Sequence, residues 1–273
     1  MININNRKRF LDIDVKYDIC EGKPSRNKII YNNESDILNS TLKNKISYLK
    51  SLRNNCNDFE IQITNLGFYS ICTKKDLDKQ SIEKLLADQY LSYLSINQKI
   101  YINKPLTEII NGYIIQRNTL SFHQNDDFIR KNVIDLIERK LVNIESILFI
   151  GGEMYMFGKI FKNFYKYAHF ISDYSSIIND TKLNGINQNN IEHVIYDNYV
   201  VNNTYDIAIC NTGKSGLGKL SKQLKSIKKL IIISCNLRSL KKDLFELNYN
   251  IVNFNILRTN YDIFFVYLEF KSN

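Results

Sequence analysis

The sequence predicts an α/β protein, with a doubly wound sheet over residues 119–273 preceded by a small α+β domain over residues 1–118. Two observations predict it. From Phe128 onward, apolar β-branched runs alternate with stretches of helical spacing, which is how a parallel sheet covered by helices reads. Seven such runs fall at 146–150, 169–172, 193–196, 206–210, 230–234, 251–254 and 263–270, the last two forming a hairpin.

The elements follow in chain order. Residues 1–34 are polar and punctuated by Gly22, Pro24 and Asn32-Asn33, which predicts short strands and loops. Ile37, Leu38, Leu42, Ile46, Leu49 and Leu52 share one face of a helix. Phe59 to Ile63 alternates as a strand, and residues 66–72 pair with it. Leu85, Leu86, Tyr90, Leu91 and Leu94 predict a helix over 82–94, with strands at 100–102 and 113–115 to follow. In the C-terminal part, Leu230-Ile231-Ile232-Ile233 delivers Ser234-Cys235-Asn236 to the end of a buried strand. Leu237, Leu240, Leu244 and Leu247 then continue at helical spacing. Active-site groups gather at that edge of open α/β sheets. The positive end of the following helix also favours the thiolate, the nucleophilic form of cysteine.

Composition bounds the chemistry. A chain of 273 residues is long enough for one large or two modest domains, and a net charge of +9 suits a polyanionic partner. Part of that charge follows residue usage, because Lys, Asn, Ile and Tyr are abundant while alanine occurs only at 87, 168 and 208, as in an AT-rich coding sequence. Five scattered cysteines without a CxxC pair argue against a disulfide framework or a zinc site. There is no apolar leader and no apolar run of membrane-spanning length, which predicts a soluble protein of the cytoplasm, the host's if the gene is viral.

Four motifs in fixed order over residues 119–273 carry a resemblance, and a fainter fifth lies near the N-terminus. One of the four is Asp173 with the run from Asn179 to Ile186, similar to a second strand's acidic end and following helix. Phe122-His123-Gln124 is similar to a Phe-x-Gln segment, and Asn211-Thr212-Gly213-Lys214-Ser215-Gly216-Leu217 to Asp-Pro-Pro-Arg-x-Gly-Leu. Ser234-Cys235-Asn236 with Ser239 and Asp243-Leu244 is similar to Ser-Cys-Asn-Pro followed by Thr/Ser and Asp/Asn-Leu, and Ser25-Arg26-Asn27-Lys28 to Tyr-Arg-Asn-Lys. Together they resemble the RNA uracil-5-methyltransferases. The resemblance implies a class I S-adenosylmethionine-dependent methyltransferase fold with a seven-stranded mixed sheet. It also implies methylation of C5 of a uridine through a Cys–C6 adduct. On that pattern Cys235 is the nucleophile, Gln124, Gly151, Gly152, Asp173 and Asn211 bind S-adenosylmethionine, and Lys214 faces RNA. The N-terminal domain contacts RNA. The extra N-terminal barrel of some rRNA-modifying members is not evident, which points to tRNA.

Three departures accompany these matches. The Gly-x-Gly turn of the family would fall at Glu153-Met154-Tyr155, where Gly151-Gly152 offers a shifted turn instead. Asn211 stands for an Asp. The family's general base, the Glu of a Thr-x-His-x-Glu segment anchored here on Thr259, falls on Ile263, leaving Asp262 as the neighbouring carboxylate. A degenerate methyltransferase-fold scaffold that binds RNA or a partner is therefore the alternative. Residues 208–215 also fit a relaxed phosphate-binding loop after a strand, without the aspartate that magnesium needs.

Overall fold

The computed structural model describes residues 16–19, 29–31, 48, 59–64, 66–74, 76–119, 121–124, 126–247, 249–258 and 262–270. The helix expected around 37–52, the segment 25–28, and Thr259 to Tyr261 lie outside the described residues or touch them only at Tyr48. The chain divides into one unit of Ser25–Ser121 and a second built from Met1–Pro24 and Phe122–Asn273. The sequence expectation is a single N-terminal block of 1–118. Strand β1 (Lys16–Ile19) pairs in parallel with a C-terminal strand, satisfying backbone groups that an exposed sheet edge would leave unpaired.

In the Ser25–Ser121 unit, β2 (Ile29–Tyr31), β3 (Phe59–Ile63), β4 (Tyr69–Thr73), β5 (Leu91–Ile96) and β6 (Lys99–Asn103) form a sheet in that order. Helix α1 (Lys79–Leu86) is capped by Asp78, whose carboxylate accepts from Ser81 N at 2.8 Å. It links the parallel strands β4 and β5, and its Leu85 packs against Tyr69, Ile71, Leu91 and Leu94. The helix expected over 82–94 therefore stops at Leu86. Asp88 accepts from Tyr90 N at 2.9 Å and from the Tyr69 hydroxyl at 2.9 Å, fixing a turn before β5. Residues 91–94 are all buried, and an apolar run buried on both faces satisfies helical spacing without being a helix. Strands β7 (Leu106–Ile110) and β8 (Tyr113–Arg117) form a hairpin closed by Asn111 and Gly112 at φ 48° and 80°.

In the second unit, β9 (Ser146–Gly151), β10 (Tyr167–Ser172), β11 (Ile191–His193), β12 (Ile207–Asn211), β13 (Lys229–Ser234), β14 (Asn250–Arg258) and β15 (Asp262–Glu269) join β1 in one sheet. Its order is β1-β14-β15-β13-β12-β9-β10-β11, and only β15 runs antiparallel to its neighbours. Strand β11 begins two residues earlier than the expected 193 and gives way to a single 3-10 turn at Tyr196–Asn198. The remaining expected strands stand within three residues of their predicted starts, apart from the longer end of β14. Ile147 to Ile150 are buried on both faces, as central parallel strands require. Leu148, Ile150, Ala208, Cys210, Leu230 and Ile232 share one core with Leu220 of helix α5 (Leu220–Gln223) and Leu240 and Leu247 of helix α6 (Leu237–Leu247). The rings of Phe149 and Phe170 stack 4.8 Å apart. Among the described residues three further helices belong to the unit: α2 (Asp127–Glu138), α3 (Met154–Ile160) and α4 (Ser175–Leu183). Among the described residues no helix is long and apolar enough to cross a membrane.

Candidate functional site

The parallel strands end together. Gly151 closes β9, Asp173 follows β10, Asn211 closes β12 and Cys235 follows β13, so the four expected residues share one sheet edge. The turn after β9 sits on Gly151-Gly152-Glu153, not on 153–155. Gly151 and Glu153 have φ of 87° and 60°, and Met154 and Tyr155 already belong to α3, both buried. An added Cβ on Gly151 would fall on the Asn211 carbonyl oxygen, which accepts the Gly152 N–H at 2.7 Å. Only glycine allows so close an approach between the two strand ends. On Gly152 a Cβ would stand 2.8 Å from the Phe122 ring.

Glu153 holds the left-handed position that a glycine would ordinarily take. Its carboxylate is turned into the cleft and is 4% exposed. Oε1 accepts the Gln124 N–H at 2.6 Å and Oε2 accepts from Asn211 Nδ2 at 3.1 Å. His123 Nδ1 stands 3.7 Å from Oε1 and 3.3 Å from the Tyr155 hydroxyl. Arg130 Nη1 lies 2.6 Å from His123 Nε2, and its Nη2 pairs with Asp127. An arginine only donates, so Nε2 is the acceptor and the imidazole proton is assigned to Nδ1, facing Tyr155 and Glu153. The hydroxyl of Tyr155 is directed at the Phe122 carbonyl at 3.4 Å.

Cys235 enters the same cleft from β13, half-buried. Its flanks fix it: Asn236 N donates to Ser234 Oγ at 3.2 Å, and Asn236 Oδ1 caps α6 by accepting from Arg238 N at 3.0 Å. Asn236 Nδ2 donates to the Lys214 carbonyl at 3.0 Å, tying the loop after β13 to the loop after β12. Gln124, Arg130, Glu153, Asn211, Cys235 and Ile263 all line the cleft, whose volume of about 20 Å³ admits one water. Cys210 differs: fully buried, its thiol is pushed upward by burial and by the charge of Asp243, so it stays protonated.

The remaining expected residues fall at or beyond the rim. Asp173 is exposed, and the helix cap behind it is Tyr174, so Asp173 is not itself the N-cap. The phenol of Tyr196 is pushed upward by burial and by the charge of Asp173. Lys214 is exposed in a 3-10 turn, Gly213–Ser215. The phosphate-loop pattern over 208–215 is overturned, because the helix after it has only four residues, too short to offer a helix N-terminus to a phosphate. At Asp262, the carboxylate expected beside the missing base, the side chain is engaged in an ion pair. Arg258 takes both its carboxylate oxygens, at 2.6 and 3.2 Å, while Ile263 next to it lines the cleft. Alternation along the strand sends the two to opposite faces. No local signal marks His123, Arg130 or Tyr155 as site residues, and Glu153 stands only where the family's Gly-x-Gly turn would fall. The spacing of Asp127 and Arg130 marks one helical face, but nothing local links it to residue 153.

Asp243 of α6 braces the loop after β12. Its Oδ2 accepts from Leu217 N at 2.9 Å, and burial pushes its carboxyl up to about 6.

No protein-family model matches the sequence, and no curated protein matches it. Solved structures do. The chain is similar to the tRNA (uracil-54, C5)-methyltransferase of Pyrococcus abyssi, in complex with S-adenosyl-L-homocysteine, with a TM-score of 0.64 and 16% identity over 97% of this chain and 81% of that one. It is also similar to the ribosomal protein L11 methylase of Lactobacillus delbrueckii, with a TM-score of 0.46 and 15% identity over 64% of this chain and 90% of that one. The fold is that of the class I S-adenosylmethionine-dependent methyltransferases.

Proposed function

We propose that this chain methylates C5 of a uridine in RNA, tRNA foremost, with S-adenosylmethionine as cofactor and Cys235 as nucleophile. The observation that carries the proposal is the meeting of Cys235 with Gln124 and Asn211 in one cleft at the sheet edge where such folds bind ligands. The donor chemistry fits the cofactor. Asp173 stands where a carboxylate takes ribose hydroxyls, the Gly151-Gly152 turn carries no side chain of its own beneath the Phe122 ring, and the Gln124 N–H and the Asn211 amide are donors for a carboxylate. The Phe122 ring, 48% exposed, must swing aside for a molecule of that size to enter.

When bound, S-adenosylmethionine supplies an electrophilic methyl group. The chain's own work lies on the uridine. Cys235 adds to C6 and makes C5 nucleophilic. Once C5 carries its methyl group, the C5 proton leaves and Cys235 is expelled. With Ile263 in the cleft and Asp262 held by Arg258, water accepts that proton, at a cost of roughly 10²–10⁴ in rate relative to a positioned base. Lys214 faces the RNA, and the Ser25–Ser121 unit also binds RNA.

The test is incubation with 5-fluorouridine-containing tRNA and S-adenosylmethionine. Fluorine cannot leave as a proton does, so a covalent protein–RNA adduct accumulates. Cys235→Ala abolishes the adduct and Cys210→Ala keeps it. A second reading, a scaffold that binds RNA without catalysis, draws on Ile263 and Glu153 in the cleft. RNA binding with no adduct would establish it.

A further inference from the structure

We infer that Glu153 is an internal ligand of the cleft, its carboxylate occupying the subsite for the α-carboxylate of an amino-acid-bearing nucleoside. The inference rests on the cofactor reading above. The Gln124 N–H at 2.6 Å and the Asn211 amide at 3.1 Å grip the two oxygens of Glu153 from two different elements, as a receptor grips a bidentate carboxylate. The imidazole of His123 adds an Nδ1–H facing Oε1 at 3.7 Å, its tautomer set by Arg130 behind it. These donors come from the 122–124 segment and the end of β12, which frame the turn where the sheet edge receives ligands. The backbone at Glu153 lies in the left-handed region, so the chain adopts a costly conformation at the point where the side chain enters the cleft. With that carboxylate in place the cleft has about 20 Å³, space for one water. An incoming carboxylate must displace Glu153 before it can bond to the same donors. Glu153 thereby sets the affinity for one part of the ligand, the amino-acid end, and not for its nucleoside end.

The test is calorimetric titration of the full chain and two variants, Glu153→Gly and Glu153→Gln, with S-adenosylmethionine, S-adenosylhomocysteine and 5′-methylthioadenosine. Glycine accepts a φ of 60° without strain, and thermal melting checks that both variants fold. Glu153→Gly is expected to bind the two amino-acid-bearing ligands at least tenfold more tightly than the parent, about 1.4 kcal/mol. Glu153→Gln falls between, and 5′-methylthioadenosine, which has no carboxylate, binds all three proteins equally. Parent binding with equal or weaker affinity in Glu153→Gly overturns the internal-ligand inference and leaves the cofactor reading standing. An equal gain for 5′-methylthioadenosine also overturns it, since Glu153 then only fills space. No binding of any ligand at millimolar concentration to any of the three proteins overturns the cofactor reading and the inference with it.

Discussion

Gly216→Ala tests how the loop that carries Asn211 and Lys214 is held in place. Gly216 has φ 73° and ψ −162°, a region that residues with a side chain scarcely enter. A Cβ there would stand 2.5 Å from Asp243 Oδ2 and 3.0 Å from Ser239 Cβ. The carboxylate would have to move off the Leu217 N–H that it accepts at 2.9 Å. The backbone contributes about 1–3 kcal/mol of destabilisation, and loss of a hydrogen bond to a charged acceptor about 1.5–3 kcal/mol. Reduced freedom of the unfolded chain returns about 0.4–1 kcal/mol. The expected net loss is roughly 1.5–5.5 kcal/mol, read from the urea midpoint at constant slope. Gly213→Ala in the same loop is the control, because at φ 68° its Cβ would meet nothing within 4 Å. It should cost under about 1.5 kcal/mol, the left-handed backbone at about 1–2 kcal/mol less the same return from the unfolded chain. Equal losses for the two variants, or less than about 1 kcal/mol for Gly216→Ala, would refute the bracing role of Asp243.

Further variants extend the same reasoning. Asp243 has its carboxyl raised to about 6 from an unfolded value of 3.8, so the fold favours the neutral form. Its contribution is fully present below pH 3.8 and is lost as pH rises through about 6. Urea midpoints between pH 4 and pH 7 should therefore fall less in Asp243→Asn than in the parent. Asp262→Asn should leave methyl transfer unchanged and cost under about 1 kcal/mol, since it removes a partly exposed ion pair; a tenfold drop in turnover would restore Asp262 as the base. Ile263→Glu places a carboxylate on the cleft wall and should raise turnover on ordinary RNA by tenfold or more, measured as release of the C5 proton. Phe149→Ala removes a ring stacked on Phe170 in the sheet core and should cost about 3–5 kcal/mol by urea denaturation.

The large sheet was legible because its central strands are short apolar runs bounded by polar turns, and those at 146–150, 206–210 and 230–234 could be little else. The Ser25–Ser121 unit was less so. Leu86, Tyr90 and Leu94, with Leu85 and Leu91 beside them, satisfy helical spacing, and only the turn that Asp88 makes with Tyr90 N and the Tyr69 hydroxyl separates helix from strand there. Strand β7 went unread, although Asn111-Gly112 is a strong hairpin signal once the alternation from Leu106 to Ile110 is noticed. The attachment of β1 to β14 is a long-range pairing with no local signal. At the site, residues standing at strand ends could be placed from the sequence, since strand ends are local features. The partnership of Glu153 with Gln124 and Asn211 could not, because it joins three segments 29 and 58 positions apart. Tertiary packing alone decides which way such a side chain turns.

The most direct measurement is nucleoside mass spectrometry of tRNA after incubation with the chain and methyl-labelled S-adenosylmethionine. Label is expected in 5-methyluridine, slowly with the parent, faster with Glu153→Gly, and not at all with Cys235→Ala. Unlabelled uridine from both parent and Glu153→Gly, with the RNA bound, would contradict the methyltransferase account. Label on any other base or position would contradict the role of Cys235.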